Sequence, residues 1–397
     1  MGNLFNIFKV QKSQDHLQEE INPEKSSLQN IKLPNPFFKN IKILTKDYKH
    51  SRIFFGLNLY ELSCYDIYKL NSIKESFYLT FNNTSNIIVT LKYIISNNTI
   101  IKVNTIEYKN YIIKLKYFND ILQNQEILLV LNIAELNIYL IVSEEKYEKI
   151  YTYYDKDPIA SDIGRRFHKL PMNDFIIFYN KYNKTNNVII SFFYRSDCTS
   201  HTRKISILKY KKNQLYKINE YFSDDTSLNN KNLFLIWKDK ILNKYYLLTN
   251  IYDELKFFDI IDKTIINYSD CKYNFTEKKF GEYACILTNE RNNRDNLYIC
   301  NDDGIFTIID LNTKEIIYKI GILVCKKINS IINWNNKYIV IGIKNIVYFL
   351  DTNNNKIISK YIMDKSTKII NIKKSIFDYT NHYLFIDSNN KSIKLLY

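Results

Sequence analysis

From Phe37 to the last residue, short apolar runs alternate with clusters of Asn, Asp and Lys, and no stretch keeps the i, i+3, i+4 spacing of a long amphipathic helix. The runs are rich in Ile, Tyr and Phe, whose branched or aromatic side chains pack well on a pleated surface, so they predict strands. The most apolar stretch, ILLVLNIAELNIYLIV (Ile127–Val142), is interrupted by Asn132, Glu135 and Asn137. It is also shorter than the ~20 residues a helix needs to cross a bilayer, and reads as two strands and a turn. Residues 1–36 differ: after MGNLFNIFKV comes the polar QKSQDHLQEEINPEKSSLQN, closed by Pro34 and Pro36. This segment predicts a flexible or weakly helical tail preceding a single domain over 37–397.

The strand pattern repeats. LYICNDDGIFTIIDLNTKEIIYKI (Leu297–Ile320) aligns with YIVIGIKNIVYFLDTNNNKIISKYI (Tyr338–Ile362), and their aspartates, Asp310 and Asp351, stand 41 residues apart. An earlier copy, YYLLTNIYDELKFFDIIDKTIINY (Tyr245–Tyr268), places Asp259 51 residues before Asp310, and the excess is assigned to the polar insert NERNNRDN (Asn289–Asn296). Hairpin series also surround Val142 and Tyr210. Each unit resembles a WD-repeat or related propeller blade of four antiparallel strands, with FTIIDLNTKE, VYFLDTNNNK and KFFDIIDKT matching the aliphatic-or-aromatic plus Asp tail of the third strand. Ile309, Leu350 and Phe258 stand where that family often has Trp, and the family's Gly-His pair is missing from every copy. The resemblance implies an all-β fold, a β-propeller of about seven four-stranded blades. The last unit, YLFIDSNNKSIKLLY, stops at Tyr397 without a fourth strand, and NIKILTKDY (Asn40–Tyr48) is expected to fill the gap, closing the ring with an N-terminal strand.

Composition changes this picture in three places. Only 7 Gly and 5 Pro accompany 34 Tyr and 24 Phe, so Asn and Asp must supply the left-handed turn positions. Phe, Ile, Lys, Asn and Tyr share AT-rich codons, which accounts for much of the bias, including part of the +15 net charge. That charge is dispersed, yet it keeps acidic lipid and nucleic acid among the partner classes. Six cysteines without a C-x-x-C pair indicate a reducing, cytoplasmic compartment.

Catalytic chemistry finds no motif. The five histidines lie in the tail or in predicted loops, there is no G-x-S-x-G, Gly-rich phosphate loop or H-E-x-x-H, and no catalytic, cofactor-binding or metal-ligating set is assigned. Cys198 and His201 could supply two metal ligands, but a structural zinc site needs four. The densest basic segment is DPIASDIGRRFHKLP (Asp157–Pro171), where Arg165, Arg166, His168 and Lys169 form a candidate anion or partner contact, the arginines by bidentate pairing. Gly2, in Met1-Gly2-Asn3-Leu4-Phe5-Asn6, is a candidate lipidation site, with Asn6 where Ser or Thr is preferred. The reading is a non-catalytic scaffold that presents loops and faces to other proteins in a larger assembly. The alternatives are a peripheral membrane or phosphoinositide binder and a subunit of a ribonucleoprotein complex.

Overall fold

The computed structural model describes residues 38, 40–48, 52–53, 62–70, 76–83, 86–108, 111–155, 172–181, 184–195, 201–224, 235–251, 254–260, 265–266, 280–289, 294–301, 305–313, 315–321, 329–335, 337–376 and 382–397. Among them every regular element is a strand, and the strands form seven four-stranded antiparallel sheets, the blades of a β-propeller. The first blade comprises Tyr65–Tyr68, Ser76–Asn82, Ile87–Ile94 and Thr99–Glu107; the second Ile112–Asp120, Gln125–Asn132, Leu136–Ile141 and Tyr147–Tyr153. The third holds Met172–Asn180, Thr185–Arg195, His201–Lys211 and Gln214–Asp224; the fourth Leu235–Asp239, Lys244–Ile251, Glu254–Asp259 and Ile265–Ile266. Phe280–Asn289, Arg294–Asn301, Ile305–Asp310 and Glu315–Gly321 make the fifth. Ser330–Asn335, Tyr338–Ile343, Ile346–Asp351 and Lys356–Ile362 make the sixth. The seventh joins Ile369–Ile376, His382–Ser388 and Ser392–Leu396 to Ile41–Ile43 from the other end of the chain. A small ribbon, Arg52–Ile53 with Leu62–Ser63, precedes the first blade.

The expected closure is therefore present: Ile41, Lys42 and Ile43 pair with Leu396, Leu395 and Lys394. Ile127–Val142 is two strands and a turn, as its interrupting polar residues predict. The hairpins around Val142 and Tyr210 are the second and third blades. Asp259, Asp310 and Asp351 all end third strands, which is why they recur. The 51-residue spacing is not one insert, however. The first two strands of the fifth blade run 10 and 8 residues against 6 and 6 in the sixth, so much of the excess lengthens a hairpin.

The described residues fall into two compact units, one within 1–39 and 268–372 and one within 40–267 and 373–397. In the larger unit one cluster joins the first three blades, a second joins the first and seventh, and a third joins the third and fourth. In the smaller unit the fifth and sixth blades share a core that includes Leu287, Tyr298, Phe306, Ile341 and Tyr348. Phe38 packs on Trp334 and Phe349 there, at 5.4 and 5.9 Å between ring centroids. Second strands such as Ser76–Asn82 are buried on both faces, which explains their continuous apolar runs. In fourth strands such as Thr99–Glu107 most positions are exposed or half-buried.

Turn chemistry follows from the scarcity of Gly. Asn86, Asn98, Asn124, Asn213, Asn243 and Asn355 adopt φ between 51° and 62°. Lys184, Lys212, Lys344 and Lys391 do the same at 46–55°, although a lysine there costs roughly 1 kcal/mol more than Gly. Asp side chains fasten the turns: Asp310 Oδ1 accepts the amides of Asn312 and Thr313, and Asp351 Oδ1 that of Asn353.

Candidate functional site

In the larger unit the first strands of neighbouring blades lie against one another, as the inner edge of a propeller requires. One or two charged residues break the apolar pattern of each of these strands. Asp66, in YDIY of the first blade, is buried, and its carboxylate accepts the Tyr117 amide at 2.7 Å and Lys116 Nζ at 3.3 Å from the second blade. Lys114, two residues earlier and on the same face as Lys116, donates to Asp174 at 2.7 Å and to the Phe175 carbonyl at 2.8 Å, in the third blade. From the seventh blade, Lys373 donates to the Tyr65 carbonyl, lies 3.8 Å from Asp66, and sits 3.9 Å above the Tyr65 ring. Four blades thus carry one chain of alternating charge: Lys373, Asp66, Lys116 with Lys114, Asp174.

Burial pushes the Lys373 amine down to about 8; Asp66 opposes this, and the charges of Lys116 and Lys114 reinforce it. Its side chain retains 28% accessibility, so water still reaches it. Between about 8 and the ordinary 10.5, the unfolded chain binds a proton that the folded chain lacks, so stability rises with pH across that window. Melting curves at stepped pH are expected to show this rise in the wild type and not in Lys373→Met. A rise of equal size in both proteins would remove Lys373 as its source.

The neighbouring Cys64 is fully buried and donates to the carbonyls of Ile112 and Ile113. Burial raises its thiol to about 12, which suits a packing residue rather than a nucleophile. A second ionic group joins the end of the second blade to the third, where Lys204 bridges Asp155 at 2.7 Å and Glu220 at 2.9 Å, with Lys217 alongside. Burial would raise the Asp155 carboxyl, but the hydrogen bonds and charges of Lys204 and Lys217 hold it below its ordinary value. These pairs all form between side chains of the same chain.

Arg165, Arg166, His168 and Lys169 lie outside the described residues, as do Gly2 and Cys198. His201 opens the third strand of the third blade, its backbone opposite Arg195. Among the described residues no three His, Cys, Asp or Glu side chains are grouped to hold a metal, and no helix is long and apolar enough to cross a membrane. Sequence reasoning missed the inner-edge charges, although a signal existed: YDIY, IIKLKYF, MNDFII and NIKKSI each set a charge inside an apolar first strand.

No protein-family model and no curated protein matches the chain. Solved structures do match. BBS1N, in a crystal structure with ARL6DN, superimposes with a TM-score of 0.60 at 7% identity, covering 90% of this chain and 96% of that one. Saccharomyces cerevisiae Sqt1 gives 0.56 at 9% identity over 90% and 98% of the two chains. Chaetomium thermophilum Raptor gives 0.55 at 10% identity, over 88% of this chain and 29% of its own. Identities this low speak to architecture alone. The architecture is that of a seven-bladed, WD-repeat-like β-propeller closed by its N-terminal strand.

Proposed function

We propose that the protein is a non-catalytic scaffold of the reducing cytoplasm, presenting the outer strands and turns of its blades to other proteins in a larger assembly. The observation that carries this reading is where apolar surface remains. Ile41 and Ile43, Ile101, Tyr216 and Ile218, Ile316 and Ile317, and Ile362 are exposed on the fourth strands of five blades. Scattered apolar side chains are ordinary on any surface, but their recurrence on outer strands offers several separate contact stations. The inner-edge charges, by contrast, are paired within the chain. A propeller fold supplies many short turns on a rigid body, which suits contact more than chemistry. The neighbouring structure of BBS1N holds a protein partner, ARL6DN, which is in keeping with this use of the fold.

The test is affinity purification of the full chain from its source, with cross-linking and mass spectrometry of co-purifying proteins. Partners are expected whose cross-links fall on lysines beside the outer strands, and Ile101→Lys with Ile218→Lys should release at least one of them. A chain recovered alone, under cross-linking and at low salt, would overturn the reading.

A further inference from the structure

The turn between first and second strands in the second blade is held by Asp120, whose Oδ1 accepts the amides of Leu122 at 3.0 Å and Gln123 at 3.3 Å. Asn124 completes it at φ 51°. The fourth blade repeats the device: Asp239 Oδ1 accepts the amides of Ile241 at 2.8 Å and Leu242 at 2.9 Å, and Asn243 closes at φ 56°. Both turns aim aliphatic pairs outward, with Ile121 68%, Leu122 47%, Ile241 78% and Leu242 59% exposed. The device does not require this. Where Asp310 and Asp351 lead such turns, the next residues, Leu311 and Thr352, are buried and the tips carry Asn and Thr.

Between these turns stands the third blade. Its registers, Asn180 opposite Thr185 and Lys211 opposite Gln214, bring its first-to-second and third-to-fourth turns to the same end. Those turns expose Lys181, Lys184, Lys211 and Lys212, with no acidic residue in either. Two bonds tie the three blades together at this end. Asn186 Nδ2 donates to Asp120 Oδ1 at 2.6 Å, and the Lys181 amide donates to Tyr245 Oη at 3.5 Å, two residues beyond Asn243. Glu145 is exposed on the second blade's third-to-fourth turn, so the positive field centres on the third blade.

We propose that this end of the second, third and fourth blades docks on an anionic lipid membrane. Ile121, Leu122, Ile241 and Leu242 enter the boundary between head groups and acyl chains, and the four lysines of the third blade lie against head-group phosphates and carboxylates. Charge complementarity selects this occupant. Cores of protein interfaces are depleted in Lys, whereas a fluid anionic leaflet accommodates flexible ammonium groups beside short aliphatic anchors. The turns are fastened by their aspartates, so little order is lost on docking. This surface is separate from the outer-strand stations of the scaffold.

The test is co-sedimentation of the full chain with vesicles of phosphatidylcholine alone and of phosphatidylcholine mixed with phosphatidylserine, at low and physiological salt. The wild type is expected to pellet with the mixed vesicles and to weaken as salt rises. Each lysine near an anionic leaflet strengthens partitioning roughly fivefold, so Lys181→Glu, Lys184→Glu, Lys211→Glu and Lys212→Glu combined should reduce binding by more than about a hundredfold. Ile121→Ser, Leu122→Ser, Ile241→Ser and Leu242→Ser combined should reduce it at least about tenfold, with the melting temperature unchanged because all four are exposed. A wild type that stays in solution with mixed vesicles, pellets equally with neutral ones, or is matched by both variants overturns the proposal. So does loss of a co-purifying protein from the same variants without any vesicle binding, which would give this end to a protein partner.

Discussion

A chain lacking residues 37–50 is expected to melt more than about 10 °C below the full-length protein and to self-associate. The deletion removes Ile41–Ile43, the fourth strand of the seventh blade, and with it the pairing to Lys394–Leu396. It also removes the Leu44 amide bond to the Ile393 carbonyl at 2.8 Å, and the Thr45 hydroxyl that accepts the Ile393 amide at 3.0 Å. Phe38 and Leu44, each 4% exposed, leave the cores they fill. Those two side chains alone are worth roughly 3–6 kcal/mol of burial. Whole domains are stable by only about 5–15 kcal/mol, so the loss is a large share of the total. The fully buried Ile393 and Leu395 would then lie on an open sheet edge, a template for pairing with another copy. Scanning fluorimetry and size-exclusion chromatography decide the matter, and a monomer melting with the wild type would show the strand to be dispensable.

Asp66→Ala should cost about 3 kcal/mol in urea denaturation. Asp66 is 4% exposed and is the acceptor for the Tyr117 amide and for Lys116, with Lys373 3.8 Å away. Removing one partner of a buried charged group leaves the others uncompensated, at about 3–5 kcal/mol. The lower end applies because Lys116 and Lys373 keep 45% and 28% of their side-chain surface in water. Adding Lys373→Met to Asp66→Ala should recover part of the loss, since no half-buried ammonium then remains beside an empty position. Asp66→Asn, which still offers an oxygen to the Tyr117 amide, should fall between wild type and Asp66→Ala. Additive costs in the double variant would mean that the two side chains do not interact.

Much of the fold was legible because its signals are periodic. The third-strand aspartates recur at the ends of those strands, where Asp310 and Asp351 fasten the turns that follow, and Asn40–Tyr48 fits the seventh blade because Ile41–Ile43 pairs there with Lys394–Leu396. The repeat fades toward the N-terminus for an equally local reason. The third strand of the first blade ends at Ile94, and the following turn has no leading aspartate to align. Substitution of Gly by Asn in turns was foreseeable from composition, while Lys at φ near 50° was not, because lysine has no local hydrogen bond that favours it. The inner-edge charges escaped notice since only one or two stand inside each strand, and their partners lie far along the chain. Lys116 follows Asp66 by 50 residues, and Lys373 follows Tyr65 by 308. Pairing over such distances is a property of blade order, which no local window contains.

The N-terminal strand also sets a schedule for biosynthesis. Thr45 bonds to Ile393, 348 residues later. At translation speeds of about 5–20 residues per second, the first strand emerges roughly 20–70 seconds before its partner exists. Throughout that interval the nascent chain carries an unmatched strand while successive blades fold behind it. The seventh blade cannot be completed until Ser392–Leu396 has been made, after the strands of every other blade. A chain interrupted before Ser392 would leave Ile41–Ile43 and His382–Ser388 without the strand that lies between them, and such a product should be recognised by quality control as unfinished although the preceding blades are intact.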